Sequence, residues 1–109
     1  MSTIVDHIGV PALLEQTAEE CCELAQACLK MARKLRDENP TPKSIEDIRD
    51  CVIEETADVQ LCLELLETET RVLDFFKVGK AKQEKAERWC KRLDIYIDLD
   101  SDIFEDEDK

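Results

Sequence analysis

Apolar and small side chains recur at alternating steps of four and three residues between Pro11 and about Asp37. This spacing places them on one face of an α-helix, because 3.6 residues complete one turn. Pro11 suits the first turn, where a missing backbone N–H leaves no hydrogen bond unmade. The predicted inner face consists of Leu14, Ala18, Cys21, Ala25, Cys28, Ala32 and Leu35, widened by Leu13, Thr17, Leu24 and Met31. A long helix with many small residues is therefore predicted.

Two more long helices are predicted after it, and residues 1–10 are expected to form a short leading turn or helix. Ser44 followed by Asp47 resembles a capping box that starts a helix running to about Glu67. Its predicted inner face is Ile48, Val52, Val59, Cys62 and Leu66, with Glu55 in an apolar position. The next helix is predicted from about Arg71 to Leu93, and Gly79 inside it suggests a close contact or a kink. Its predicted inner face is Val72, Phe76, Ala86, Cys90 and Leu93.

The composition agrees with an all-α fold, since two glycines, three prolines and five aromatic residues leave little material for a turn-rich β fold. The 109 residues are enough for one domain. Three helices cannot easily bury inner faces of this length alone. We therefore expect long antiparallel helices forming a four-helix-bundle-like core that is completed by oligomerisation, as a homodimer or homotetramer. The helical domain is expected to span residues 1–93.

The charge of the chain is uneven and argues against several classes of partner. The formal net charge is −12, and residues 94–109 form an acidic tail with eight acids and one lysine. Such a balance argues against binding nucleic-acid phosphates. No stretch resembles a signal peptide or a membrane span, so we expect a cytoplasmic protein without a membrane partner. The six cysteines fall within helical patterns and only one histidine is present, which favours reduced thiols over disulfides or a zinc site.

Two pairs of acids interrupt the inner faces of the first two long helices. Glu20 and Glu23 lie on the first, and Glu55 and Asp58 lie on the second. The i, i+3 spacing directs both carboxylates of a pair to one side of the helix. Acid pairs are common in a chain with 27 acids, but these two are flanked by apolar or small residues, where a charge is costly unless it is neutralised. Four facing carboxylates predict a site for hard cations such as Mg²⁺, which Mn²⁺ can replace.

The same segments resemble the motifs of MazG-like nucleotide pyrophosphohydrolases, a family of all-α nucleoside triphosphate pyrophosphatases. Glu19-Glu20-Cys21-Cys22-Glu23 resembles the family's EExxE motif, and Glu54-Glu55-Thr56-Ala57-Asp58 resembles its ExxD motif. Residues 85–93 resemble the basic stretch on the last helix of small, often phage-associated members. The resemblance covers about residues 9–93. It implies Mg²⁺-dependent hydrolysis of a nucleoside triphosphate to its monophosphate and pyrophosphate.

Carried over to this chain, the resemblance implies the metal ligands, and the spacing and chemistry of other residues suggest further roles. The metal ligands are Glu20, Glu23, Glu55 and Asp58. Either Glu19 or Glu23 can accept a proton from the attacking water, and no nucleophilic side chain is required. The candidate triphosphate-binding residues are Lys30, two turns after Glu23, and Lys85, Arg88 and Arg92 in the basic stretch. The alternative is that they are solvated charges that balance an acidic body. Trp89 is either a platform for the base or an ordinary core or interface residue.

Two other classes of function stay open from the sequence. The chain can be a helical interaction protein whose acids are surface charges, or a nucleotide-binding protein without turnover. Within the enzyme class, a specialised dNTPase is an alternative to a broad one. The preferred base or sugar, the choice between dimer and tetramer, the purpose of the tail, and a house-cleaning, pool-control or phage-related role are not decided by the residues.

Overall fold

The computed structural model describes residues 2–38 and 42–95 of the chain. These residues form four α-helices: α1 (Ile4–Ile8), α2 (Val10–Leu35), α3 (Ile45–Thr68) and α4 (Phe75–Leu93). No strand occurs in the described ranges, so the all-α prediction is confirmed for them. The acidic tail from residue 96 onward lies outside the described residues. None of the helices in the described part is long and apolar enough to cross a membrane.

The starts of the helices follow from local capping. Thr3 and Asp6 form a capping box at α1, and Gly9, with φ +85°, provides the turn that lets α2 start beside Pro11. The Ser44 hydroxyl accepts a hydrogen bond from the Asp47 backbone N–H at 3.1 Å, as the sequence predicted for α3. The short leading helix and the second long helix are therefore confirmed.

The predicted start of the last helix near Arg71 is wrong. Asp74 caps α4 by accepting a hydrogen bond from the Phe76 backbone N–H at 2.9 Å, so the helix begins at Phe75. Val72 thus lies before the helix and cannot belong to its inner face. Thr70 lies after the end of α3, in the turn before α4. Its hydroxyl donates a hydrogen bond to the Leu66 carbonyl and accepts one from the Val72 backbone N–H.

Helices α2 and α3 pack against each other in antiparallel fashion. Leu13, near the start of α2, shares a cavity wall with Leu65, near the end of α3, while Lys30 shares another with Ile48. The helices also contribute most of the buried apolar side chains, which are Leu13, Ala27, Ile48, Val59, Cys62 and Leu66. The predicted inner face of α3 is therefore confirmed, and Glu55 lies half-buried within it.

The predicted inner face of α2 is wrong by one residue. Leu14, Ala18, Cys21, Ala25 and Cys28 are exposed, whereas Leu13, Thr17 and Ala27 are buried. One residue corresponds to a rotation of about 100° around the helix axis. The larger side chains Leu13, Leu24 and Met31, which the sequence placed at the edge, lie on the buried side because they fill more space against α3. The small residues remain on an outer face.

The chain divides into two units at Leu73 and Asp74. The described part of the second unit consists of α4 and the turn that follows it. Of its predicted inner face, Cys90 is buried and Ala86 is half-buried, but Phe76 is 80% exposed. A side chain at Gly79 would meet no described atom within 4 Å, so this glycine does not mark a close contact. The limits of the helical domain at residues 1–93 stay a prediction.

Candidate metal centre

The two acid pairs lie together at the interface of α2 and α3. One carboxylate oxygen from each of Glu20, Glu23, Glu55 and Asp58 lies within 4.8 Å of the others. We call these four residues the acid cluster. Glu20 and Glu55 are half-buried, whereas Glu23 and Asp58 are exposed. The cluster therefore spans from the interface of the helices to the surface.

The position of the cluster follows from the periodicity of the two helices. Glu20 continues the buried side of α2 three residues after Thr17, and Glu55 lies between Val52 and Val59 on the buried side of α3. The second acid of each pair comes three residues later, on the same side of its helix. Because the helices are antiparallel, position 23 lies near position 55, and position 20 lies near position 58. The two pairs are visible in the sequence, and the packing of α2 against α3 brings them into one group.

The pKa of two carboxyl groups in the cluster is raised above its ordinary value. The Gln16 amide donates a hydrogen bond to Glu20 at 2.7 Å and lowers its pKa. Desolvation and the charges of Glu23 and Asp58 outweigh this effect, so the pKa of Glu20 is raised overall. For Glu23, a shared hydrogen bond with the Glu55 carboxyl and the charge of Glu55 are the main causes of a raised pKa. The cluster thus favours either a proton or another positive charge.

Two oxygens of the cluster are buried without a hydrogen-bond partner among the described residues. They are Oε2 of Glu20 and Oε2 of Glu55, one from each helix. A buried carboxylate oxygen without a partner is costly, and a bound cation relieves that cost. The cluster offers only carboxylate oxygens, which suits hard cations such as Mg²⁺, Mn²⁺ or Ca²⁺ rather than Zn²⁺. The residues present therefore fit a divalent cation.

A cavity of about 290 Å³ adjoins the cluster on the side of Glu23 and Glu55. Lys30, predicted from its spacing after Glu23, lines this cavity together with Lys43. We call it the lysine cavity. Sequence reasoning missed Lys43 because it lies in the segment between two helices, where periodicity gives no direction. One signal in the sequence could have found it. Lys43 directly precedes Ser44, the cap of α3, and in an antiparallel pair the start of α3 lies near the end of α2, where Lys30 is.

The other predicted substrate-binding residues form a group on α4, in the second unit. Lys85, Arg88, Trp89 and Arg92 line an open depression of about 620 Å³ with Lys91, which the sequence did not single out. Trp89 is 62% exposed, so its side chain is available to a ligand or to another protein surface.

Glu19, the remaining predicted residue, is exposed and lies outside the acid cluster. Its role as a proton acceptor stays a prediction, since the structure does not place it with the four carboxylates. Glu23 is the candidate acceptor that lies within the cluster.

Comparison with known proteins does not extend this description. The chain matches no protein-family model, no curated protein and no solved structure.

Proposed function

We propose that the protein is a divalent-cation-dependent nucleoside triphosphate pyrophosphohydrolase, similar to the MazG-like enzymes whose motifs it resembles. The observation that carries the proposal is the acid cluster, with four carboxylates within 4.8 Å and two buried oxygens lacking a partner. Among the described residues, no other acids form such a group. The lysine cavity next to the cluster adds positive charge where a polyphosphate chain would extend.

The proposed reaction is attack of water on the α-phosphorus of the substrate. The new bond joins the water oxygen to that phosphorus, the bond to the bridging oxygen breaks, and pyrophosphate leaves. Bound Mg²⁺ would supply charge neutralisation on the phosphate oxygens and lower the pKa of a bound water. Glu20, Glu23, Glu55 and Asp58 would hold the cation, and a carboxylate oxygen of Glu23 that is not bound to it would accept the water's proton. Lys30 contacts the departing phosphates.

We also propose that the active form is a homo-oligomer. The outer face of α2 carries Leu14, 42% exposed, among the small residues Ala18, Cys21 and Ala25. Small residues permit two helices to approach closely, and a contiguous exposed apolar face is typical of a surface that another subunit covers. Pairing through this face would create the four-helix core expected from the sequence.

The test is product analysis with purified protein, Mg²⁺ and a panel of common and modified NTPs and dNTPs. The proposal expects a nucleoside monophosphate and pyrophosphate in equal amounts, with loss of at least a hundredfold in rate for Glu55→Gln. The matched control is Glu54→Gln, which removes a neighbouring exposed acid outside the cluster. Release of inorganic phosphate alone, or equal rates for both variants, would refute the proposed reaction.

A helical interaction protein is the second candidate function. It is favoured by the exposed apolar side chains of α4, among them Phe76 at 80% and Trp89 at 62% exposure. Under this hypothesis the acids are surface charges, and replacing all four with Gln or Asn leaves partner binding intact. Absence of turnover with every nucleotide, together with stability that does not respond to Mg²⁺, would favour this candidate over the enzyme.

A further inference from the structure

A second cavity adjoins the acid cluster on the side away from the lysines. It has a volume of about 200 Å³ and is lined by Glu20 and Asp58, the two cluster members that do not line the lysine cavity. The remaining walls are almost entirely apolar. They are formed by Ile4, Ile8, Leu13, Leu61, Cys62 and Leu65, with Gln16 as the one uncharged polar side chain. We call this the apolar cavity.

The short helix α1 forms one wall of this cavity. Its start is attached to the end of α3 by a hydrogen bond of 3.0 Å from the Val5 backbone N–H to the Glu69 carboxylate. Ile4 and Ile8, one turn apart on α1, line the cavity together with residues of α2 and α3. Both side chains are nearly half exposed, at 46% and 47%. Apolar walls that stay open to water beside a charged cluster gain free energy when a ligand covers them.

The acid cluster thus separates two cavities of opposite character. On one side lie two lysines, whose charge favours phosphate groups, and on the other lie aliphatic side chains, which favour an apolar group. A molecule that places a phosphate at the cations can extend an anionic chain to one side and an apolar group to the other. A nucleoside triphosphate has this order of groups, with the base at one end and the terminal phosphates at the other.

We infer that the apolar cavity formed by α1, α2 and α3 binds the base of the nucleotide, while the terminal phosphates point into the lysine cavity. The inference rests on the proposed function and assigns the direction in which the substrate lies across the acid cluster. It also gives α1 a role as one wall of the base site. The single amide of Gln16 offers few hydrogen bonds, so apolar contact provides most of the affinity for the base.

The experiment compares a triphosphate that has no base with nucleotides that carry the same chain of phosphates and a base. Isothermal titration calorimetry in the presence of Mg²⁺ measures inorganic triphosphate and the α,β-imido analogues of dATP, dCTP, dGTP and dTTP. The test variant is Leu61→Asn, which places an amide in the wall of the apolar cavity. The matched control is Ile53→Asn, because Ile53 lies on the same helix, lines neither cavity and is similarly exposed, at 59% against 54% for Leu61.

We expect the wild-type protein to bind the preferred imido nucleotide more tightly than inorganic triphosphate. Leu61→Asn should weaken binding of that nucleotide by about tenfold, as expected for loss of a buried aliphatic contact. Its affinity for inorganic triphosphate should stay unchanged, and Ile53→Asn should bind both ligands normally. Ile8→Asn tests the α1 wall in the same way.

Two results would overturn the inference in different ways. Equal weakening of both ligands by Leu61→Asn, or no weakening of either, would show that the base does not occupy the apolar cavity while the proposed function stands. Failure of the wild-type protein to bind any of the ligands with Mg²⁺ would refute the proposed function itself, and the base site with it.

Discussion

Replacing one acid of the cluster is expected to change stability in opposite directions without and with Mg²⁺. Four ionised carboxylates within 4.8 Å give six pairwise repulsions, and three carboxylates give three. Glu55→Gln keeps the size of the side chain and removes half of these repulsions. In the absence of divalent cations the variant should therefore unfold at a higher temperature than the wild-type protein.

With Mg²⁺ the wild-type protein should instead unfold at the higher temperature, because a cation that binds only the folded state stabilises it. At a Mg²⁺ concentration 100 times the Kd, the gain is about 2.7 kcal/mol. A single domain of this size unfolds about 4 to 8 °C higher for each kcal/mol, so the wild-type Tm should rise by about 10 to 20 °C. If loss of a ligand weakens affinity by about 100-fold, the same concentration raises the Tm of Glu55→Gln by only about 2 to 3 °C.

The assay is thermal unfolding followed by circular dichroism, at one protein concentration, in EDTA and in increasing Mg²⁺. Glu54→Gln provides the control for removal of an acid from the same helix, since Glu54 is exposed and outside the cluster. It should keep the full response to Mg²⁺. If Glu55→Gln and Glu54→Gln respond alike, or if the wild-type Tm is indifferent to Mg²⁺, the reasoning from cluster to cation is wrong.

Four further predictions concern individual residues. Because the pKa of Glu23 is raised, the folded state binds its proton more tightly than the unfolded state does. In EDTA, the free energy of unfolding should therefore fall as the pH rises from the usual pKa of Glu toward the raised one. Urea denaturation should show a shallower fall for Glu23→Gln. Replacing Leu66, which is 2% exposed, with Ala should lower the free energy of unfolding by about 2 to 5 kcal/mol, also measured by urea denaturation. Lys30→Ala should raise KM for the nucleotide in steady-state kinetics but keep the rise in Tm with Mg²⁺. Ala25→Glu should yield monomers in light scattering after size exclusion, whereas Ala25→Ser should not.

Each of these has a result that contradicts it. A pH slope shared by wild type and Glu23→Gln would show that Glu23 does not titrate in the cluster. A loss well under 1 kcal/mol for Leu66→Ala would place Leu66 outside the tightly packed core. An unchanged KM for Lys30→Ala would separate the lysine cavity from substrate binding. Oligomers that persist in Ala25→Glu would place the subunit interface elsewhere than the outer face of α2.

The acid pairs were visible in the sequence because each breaks a strong helical pattern. Glu55 occupies an apolar position of α3, and the structure leaves it half-buried between Val52 and Val59. Glu20 is a different case. The sequence showed Glu20 as an interruption of an inner face predicted around Cys21, whereas the side of α2 that is buried contains Thr17 and Ala27, with Glu20 half-buried between them. Period and composition locate a helix and its apolar residues, but neither decides which of two adjacent apolar faces meets the partner helix.

Other features depend on contacts that have no signature along the chain. The position of α1 depends on a hydrogen bond between Val5 and Glu69, which are 64 residues apart. The entry of Lys43 into the lysine cavity depends on where the segment before α3 passes. The late start of α4 depends on Asp74, a cap that the sequence contains but that competed with the apolar pattern of Val72. Local chemistry therefore located the start of α3 but not that of α4, and it did not predict the walls of the cavities.

The acid cluster and the proposed subunit interface lie on different sides of α2. All four carboxylates come from α2 and α3 of one chain, on the side where these helices meet. The small residues around Ala25 lie on a different side of α2 and are exposed. A charge placed at Ala25 should therefore separate subunits without altering the cluster. Monomers of Ala25→Glu that still gain stability from Mg²⁺ would show that cation binding belongs to the single chain, whereas loss of both together would show that the second subunit shapes the site.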